Sequence, residues 1–149
     1  MSGASGDEWV VGPDGAKYWG RFGAAGLLVV SPQREVLLQH RALWSHFGGT
    51  WGMPGGARHE HESAVEAAVR EAGEEAGVPP ALVEVRFSTV LDLGYWSYTT
   101  VVADAAERFA PVVSDPESIE LRWIAIDRVT EVPLHPRFAE AWTALSTRL

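Results

Sequence analysis

The sequence predicts a mixed α+β fold, a sheet with helices packed against it. Three observations predict it. The chain has 149 residues, 46% hydrophobic and 21% charged, which suits one cored domain and is short for two. Short apolar runs of β character, broken by Gly, Pro and Ser, lie on both sides of one strongly patterned helix. A second helical pattern occupies the C-terminal end. The order read from the sequence is β-β-β-α-β-β-β-α.

Residues 1–17 read as a flexible N-terminal tail with turn chemistry at Gly12-Pro13-Asp14-Gly15, and residues 18–149 as a single domain. Ala24 to Val30 and Val36 to Arg41 flank Ser31-Pro32-Gln33-Arg34, the pattern of a hairpin. Residues 45–50 form a loop. Trp51-Gly52-Met53 is a strand stub stopped by Pro54-Gly55-Gly56. The helix from Ser63 to Ala76 opens on Ser63-Ala64-Val65-Glu66, a capping box in which hydroxyl and carboxylate each take a free backbone N–H. Val65, Ala68, Val69, Ala72 and Ala76 recur at helical spacing as its buried stripe. Gly77 ends it, and Pro79-Pro80 prevents its resumption. Val83 to Leu91, Trp96 to Ala103 and Leu121 to Ile126 read as strands. Pro136 to Leu149 reads as a helix with Phe138, Ala141, Trp142 and Leu145 on one face.

Composition excludes several functions. Twenty acidic and 12 basic side chains give a net charge of −8, unsuited to a nucleic-acid polymer. There is no cysteine, hence no disulfide scaffold, thiolate zinc site or thiol nucleophile. No apolar run is long enough to span a membrane. The start, rich in Gly, Ser and acid, lacks the pattern of a signal peptide, so a cytoplasmic location is expected. Nothing in the pattern sets the oligomeric state.

One helix face works against its own stability. Glu71, Glu74 and Glu75 stand at i, i+3 and i+4, where like charges repel by about 0.2–0.5 kcal/mol per pair. They also lie near the negative end of the helix dipole. A hard divalent cation with oxygen ligands would resolve both conflicts; a solvated acidic face fits the same spacing. Between Arg58 and Glu75, six acids and two arginines carry half the chain's net charge.

The wider pattern is more specific. Gly56, five residues, Glu62, seven residues, then Arg70-Glu71-Ala72-Gly73-Glu74-Glu75-Ala76-Gly77-Val78 resembles the Nudix box of the Nudix hydrolases at every position the box specifies. The preceding Trp51-Gly52-Met53-Pro54-Gly55-Gly56 looks like that family's entry into its loop. The likeness extends over about residues 22–147 and implies the Nudix α/β/α sandwich. It further implies Mg²⁺- or Mn²⁺-dependent hydrolysis of a nucleoside diphosphate linked to another group. By position, Glu71, Glu74 and Glu75 would be metal ligands, aided by a carbonyl of Gly55 or Gly56. Arg70 would orient a box glutamate, and Glu62 would be structural. Gly73, at an unspecified position inside the helix, is expected to allow close packing against a strand.

Residues outside the box extend the resemblance. Glu117, in Asp115-Pro116-Glu117-Ser118-Ile119-Glu120 before Leu121-Arg122-Trp123, corresponds to an additional metal-binding or base glutamate of MutT-type members, with Glu120 as its neighbour. Arg41 corresponds to an arginine that reaches a substrate phosphate, a task suited to its planar fork. His40 alternates with it, so only one of the two faces a cleft. Trp51, Phe47 and Trp123, with Trp44, are candidates for stacking on a base, worth about 1–3 kcal/mol. Trp96, Tyr98, Thr100 and Val102 share one strand face and read as core. The segments Tyr18 to Leu27, Leu37 to His46 and Pro133-Leu134-His135-Pro136 are similar to a MutT-like mutator subgroup of actinobacteria. That likeness implies a nucleotide substrate, 8-oxo-dGTP cleaved to 8-oxo-dGMP and pyrophosphate. Diadenosine polyphosphates (suggested by Tyr95), ADP-ribose (disfavoured by Leu93-Gly94) and a non-catalytic nucleotide sensor are the alternatives.

Overall fold

The computed structural model describes residues 4–114 and 116–149. A short hairpin comes first, β1 (Trp9–Val11) against β2 (Lys17–Trp19). Then follow β3 (Ala24–Val30), β4 (Glu35–Arg41), β5 (Trp51–Gly52) and β6 (Gly55–Ala57). Helix α1 (Ala64–Ala76) leads to β7 (Val83–Asp92), β8 (Ser97–Ala105) and β9 (Ser118–Ala125), and α2 (Pro136–Leu145) follows.

The main sheet runs β5-β4-β3-β8-β7, with β6 also pairing β3 and β9 also pairing β4. It is mixed: β3 and β8 are parallel, and the other pairs are antiparallel. All seven residues of β3 are buried because both faces of the sheet are covered. Period two divides them. Ala25, Leu27 and Val29 pack with Ala67, Ala68, Ala72 and Ala76 of α1. Leu28 and Val30 pack on the other face with Phe138, Trp142 and Leu145 of α2. The expected sandwich is therefore present, with α1 and α2 on opposite faces.

Local chemistry fixes α1 where the sequence places it. Ser63 and Glu66 form both bonds of the capping box, at 3.0 Å each. Gly77 takes φ +64, and its N–H bonds the Gly73 carbonyl. The buried stripe differs in one residue: Ala67 faces the sheet and Val65 is exposed. Two further expectations need correction. Residues 9–19 form a hairpin where a loose tail was expected over 1–17. Gly12 and Ala16 close its turn, and the Gly6 carbonyl accepts from Arg21 N–H. Three-residue strands are too short to show periodicity, and Met1 to Gly3 lie outside the described residues. Gly55-Gly56, read as a stop, instead forms β6, pairing Gly26 and Ala25 of β3.

Gly73 is not packed tightly. A Cβ there would meet only the Val78 carbonyl, at 3.8 Å, and nothing else in the structure explains a helical glycine at this point. Gly73→Ala is therefore expected to raise stability by up to about 1 kcal/mol, read as a higher urea midpoint at unchanged m. A lowered midpoint would refute the open-space reading.

Candidate functional site

The last two turns of α1 lie over β6, and the glycines of β6 make that approach possible. A Cβ on Gly56 would fall 2.6 Å from the Glu71 carboxyl carbon, so the carboxylate rests in space that only glycine leaves. A Cβ on Gly55 would meet the Ala25 carbonyl at 2.6 Å and the Tyr98 hydroxyl at 3.0 Å. The Gly55 N–H donates to Glu75 Oε2 at 3.2 Å, and Glu75 is buried. Glu74 is the exposed member of the three, its side chain 60% accessible against 13% for Glu71.

Arg70 organises this cluster. Its Nε and Nη2 donate to both oxygens of Glu62 at 2.8 and 2.9 Å, a paired geometry stronger than a single bond. Its Nη2 also donates to the Ala57 carbonyl at 3.0 Å, and its Nη1 to Glu71 at 3.0 Å and Glu74 at 3.4 Å. Glu62 accepts in addition from His59 N–H. These bonds, Arg70's first, hold the Glu62 carboxyl below its ordinary range. Glu71 moves the other way: burial raises its pKa, and the nearby Arg70 offsets that only in part.

Glu71, Glu74, Glu75, Gly55 and Gly56 line one side of a cleft of about 900 Å³. Glu117 and Arg41 line it too. Glu120 is instead paired with Arg122 at 2.9 Å. Arg41 Nε donates to the His46 carbonyl at 2.9 Å. His40 points elsewhere, stacked on Trp51 with centroids 4.4 Å apart. Phe47 and Trp44 reach the cleft and are exposed.

Trp51 and Trp123 are corrections. Both are buried, at 4% and 7% exposure, and neither is among the cleft-lining residues. Trp51 fills the core beneath α2, and Trp123 packs under α1 with its Nε1–H on the Phe109 carbonyl. Nearness in sequence to a glycine turn does not say which face of a strand a ring occupies. Trp96 and Thr100 are buried, as expected of core, and with Tyr98 they also form part of the cleft wall, while Val102 is core. Tyr18 stacks on Trp96 with centroids 4.6 Å apart, and the Arg137 guanidinium lies 4.5 Å above the Tyr18 ring. Sequence reasoning missed Tyr18, Arg137 and His135 as cleft residues. The one available signal was the alternation that groups Trp96 with Tyr98. Tyr95 packs against Tyr18 and Gly12 and is not among the cleft-lining residues.

His135 caps α2, its Nδ1 accepting from Arg137 N–H at 3.2 Å. Burial, then the positive charges of Arg41, His46 and Arg137, push its pKa from 6.5 down to about 4. The unfolded chain therefore binds a proton near pH 6.5 that the folded chain refuses until about pH 4. Stability from this group is full above pH 6.5 and lost as pH falls through that window. Solvent screening at this partly exposed site reduces the effect to about 1 kcal/mol. His135→Asn, which can still cap, should lose less stability than the wild type between pH 7.5 and about 5 by urea denaturation. Equal losses would count against this assignment.

As they stand, no three acidic or histidine side chains among the described residues are grouped closely enough to hold an ion. No helix among them is long and apolar enough to cross a membrane.

The comparisons agree with this architecture. The NUDIX domain model matches residues 20–145. A Mycobacterium tuberculosis protein named "Putative 8-oxo-dGTP diphosphatase 3" is 53% identical over 95% of this chain and 70% of its own length. A Bifidobacterium longum protein, a nucleoside triphosphate pyrophosphatase/Nudix hydrolase fusion, is 41% identical over 97% of this chain and 32% of its own. The crystal structure of a Nudix hydrolase from M. smegmatis, RenU, superposes with a TM-score of 0.87 at 51% identity, covering 94% of this chain and 92% of that one. With the family model spanning both helices and the whole main sheet, the chain belongs to the Nudix hydrolases.

Proposed function

We propose that this enzyme is a Mg²⁺-dependent nucleoside triphosphate pyrophosphohydrolase whose substrate is 8-oxo-dGTP. The observation that carries the reading is a cleft with two unlike sides: three glutamates of α1 face it on one, and aromatic rings with arginines line the other. A nucleotide has the matching asymmetry, a polyanionic end that needs cations and a flat base that needs rings. The name of the M. tuberculosis relative supports the substrate chosen.

Nudix hydrolases use divalent metals, and the donor set here fits one: carboxylates and backbone carbonyls, all hard oxygen ligands. Glu71, Glu74 and Glu75 would hold the ion with help from Gly55 or Gly56 and Glu117; Mn²⁺ suits the same donors. Bound there, it would screen the phosphate charges and lower the pKa of attacking water. The protein's own residues supply the rest. Arg70 fixes the Glu71 and Glu74 carboxylates, and the Gly55 N–H fixes Glu75. Arg41 binds a phosphate oxygen. Glu117 accepts the proton of the water that adds to phosphorus. A P–O bond of the anhydride bridge between the α- and β-phosphates breaks, giving nucleoside monophosphate and pyrophosphate.

Glu117→Gln is expected to lower kcat at least about tenfold with little change in Tm, because the side chain is exposed. Near-normal kcat would remove Glu117 from the site. The reading as a whole is tested by Mg²⁺-dependent product release from 8-oxo-dGTP, 8-oxo-GTP, the unmodified dNTPs, ADP-ribose and diadenosine tetraphosphate. Preference for 8-oxo-dGTP supports it. Preference for either of the last two substrates overturns the substrate assignment, and no hydrolysis at all would favour a nucleotide sensor. A cytoplasmic location suits such an enzyme, whose partner is a small nucleotide and not a nucleic-acid polymer; fractionation of the source cells tests that placement.

A further inference from the structure

On the α2 side of the cleft, a recess of about 350 Å³ opens between Lys17 and Tyr18 of β2, Phe47, and Arg137 and Glu140 of α2. The hydrogen-bonding groups of the Arg137 and Glu140 side chains are not engaged among the described residues. Among the described residues neither makes an ion pair or a side-chain hydrogen bond, although they stand at i, i+3 on α2 and so lie side by side. Arg137 touches only rings, 4.5 Å from Tyr18 and 5.5 Å from Trp96. Phe47 holds φ +53, a left-handed backbone that costs about 1 kcal/mol or more and persists where surroundings enforce it. Edge contacts fix its ring, at 4.3 Å from His46 and 4.8 Å from His135.

The two ends of the cleft belong to opposite faces of the sheet. The glutamates project from α1 on one face and Arg137 from α2 on the other. With phosphates at the glutamate end, the far end receives the base. A donor and an acceptor set side by side on a helix can read a base edge that offers an acceptor beside a donor. Oxidation of guanine at C8 creates that pattern: N7, a lone-pair acceptor in guanine, becomes an N–H flanked by the carbonyls O6 and O8.

Resting on the 8-oxo-dGTP reading, we propose that Arg137 and Glu140 read the oxidised edge of the substrate base. Arg137 donates to a carbonyl, Glu140 accepts the N7–H, and Phe47 and Tyr18 hold the ring plane in the recess. Guanine is disfavoured because its N7 lone pair would face the Glu140 carboxylate, leaving both acceptors desolvated and unpaired.

The test is the ratio of kcat/KM for 8-oxo-dGTP to that for dGTP, which a merely structural disturbance does not move because it lowers both. Glu140→Gln, whose amide N–H can donate to guanine N7, is expected to reduce the ratio by about tenfold or more, with the change in KM and not in kcat. Arg137→Gln is expected to raise KM for both nucleotides while leaving inhibition by inorganic pyrophosphate as in the wild type. A Glu140→Gln ratio within twofold of wild type overturns the proposal, as does an Arg137→Gln loss of pyrophosphate inhibition as large as its rise in KM. If the wild type prefers 8-oxo-dGTP and Glu140→Gln does not alter the ratio, only this proposal fails. If the wild type shows no preference, the substrate reading fails and this proposal with it.

Discussion

Glu71→Gln is expected to lower turnover by about 10²–10³-fold and yet leave the metal-free protein as stable as the wild type or more so. The two effects have one cause. The Glu71 carboxylate is nearly enclosed, seated against Gly56, with Glu74 one turn along the helix. Burial raises its pKa despite Arg70, so the folded chain holds an ionised Glu71 at a net cost. Glutamine keeps the shape, removes the charge, and can still accept one bond from Arg70. What it lacks is the anionic oxygen a divalent ion needs. The wild type should therefore gain Tm on addition of Mg²⁺, because an ion bound only by the folded state stabilises it by mass action. The variant should lose that gain. Melting curves with and without Mg²⁺, alongside kcat, measure both. A variant with a full Mg²⁺ response and more than about a tenth of wild-type turnover would remove Glu71 from the metal site.

The glutamate cluster was legible through the Nudix box it fills, since its spacing alone fits a solvated acidic face as well. Glu71, Glu74 and Glu75 break two helix rules at once, and a sequence shows such violations directly. The capping box and Gly77 were legible for a related reason, since each is a local bond between near neighbours. The sandwich was implied by the likeness to the Nudix family, and the unbroken apolar run of β3, buried on both faces, agrees with it. The far side of the cleft was legible only at Phe47 and Trp44, because its parts come from four separate segments. Tyr18 sits on a three-residue strand, Phe47 in a loop, Trp96 just before β8 and Arg137 on α2. No spacing relates them, and only the pairing of β3 with β8 and the docking of the hairpin bring them together. Trp51 and Trp123 misled for the converse reason. Trp51 adjoins the box and Trp123 follows the Glu117 loop, but the alternation of β-strands turns them into the two cores.

The other large effect belongs to a residue that need not touch substrate. Arg70→Ala is expected to cost about 3 kcal/mol or more of folding stability, in the range for breaking a buried ion pair by removing one partner. The side chains of Arg70 and Glu62 are 23% and 14% exposed, so water compensates little. Truncation leaves the Ala57 carbonyl without this donor and Glu62 with a single partner among those described above, the His59 N–H. Arg70→Lys should recover less than half of the loss. An ammonium can meet one carboxylate, but it cannot bond both oxygens of Glu62, the Ala57 carbonyl and Glu71 together. Mg²⁺ should restore little, since it would bind at Glu71 and Glu74 and not at Glu62. A double-mutant cycle isolates the cause. If the penalty is an uncompensated carboxylate, Glu62→Gln in the Arg70→Ala background should be more stable than Arg70→Ala alone, although Glu62→Gln by itself destabilises. A double variant no more stable than Arg70→Ala would mean that Arg70 acts through packing of its stem and not through the charge it neutralises.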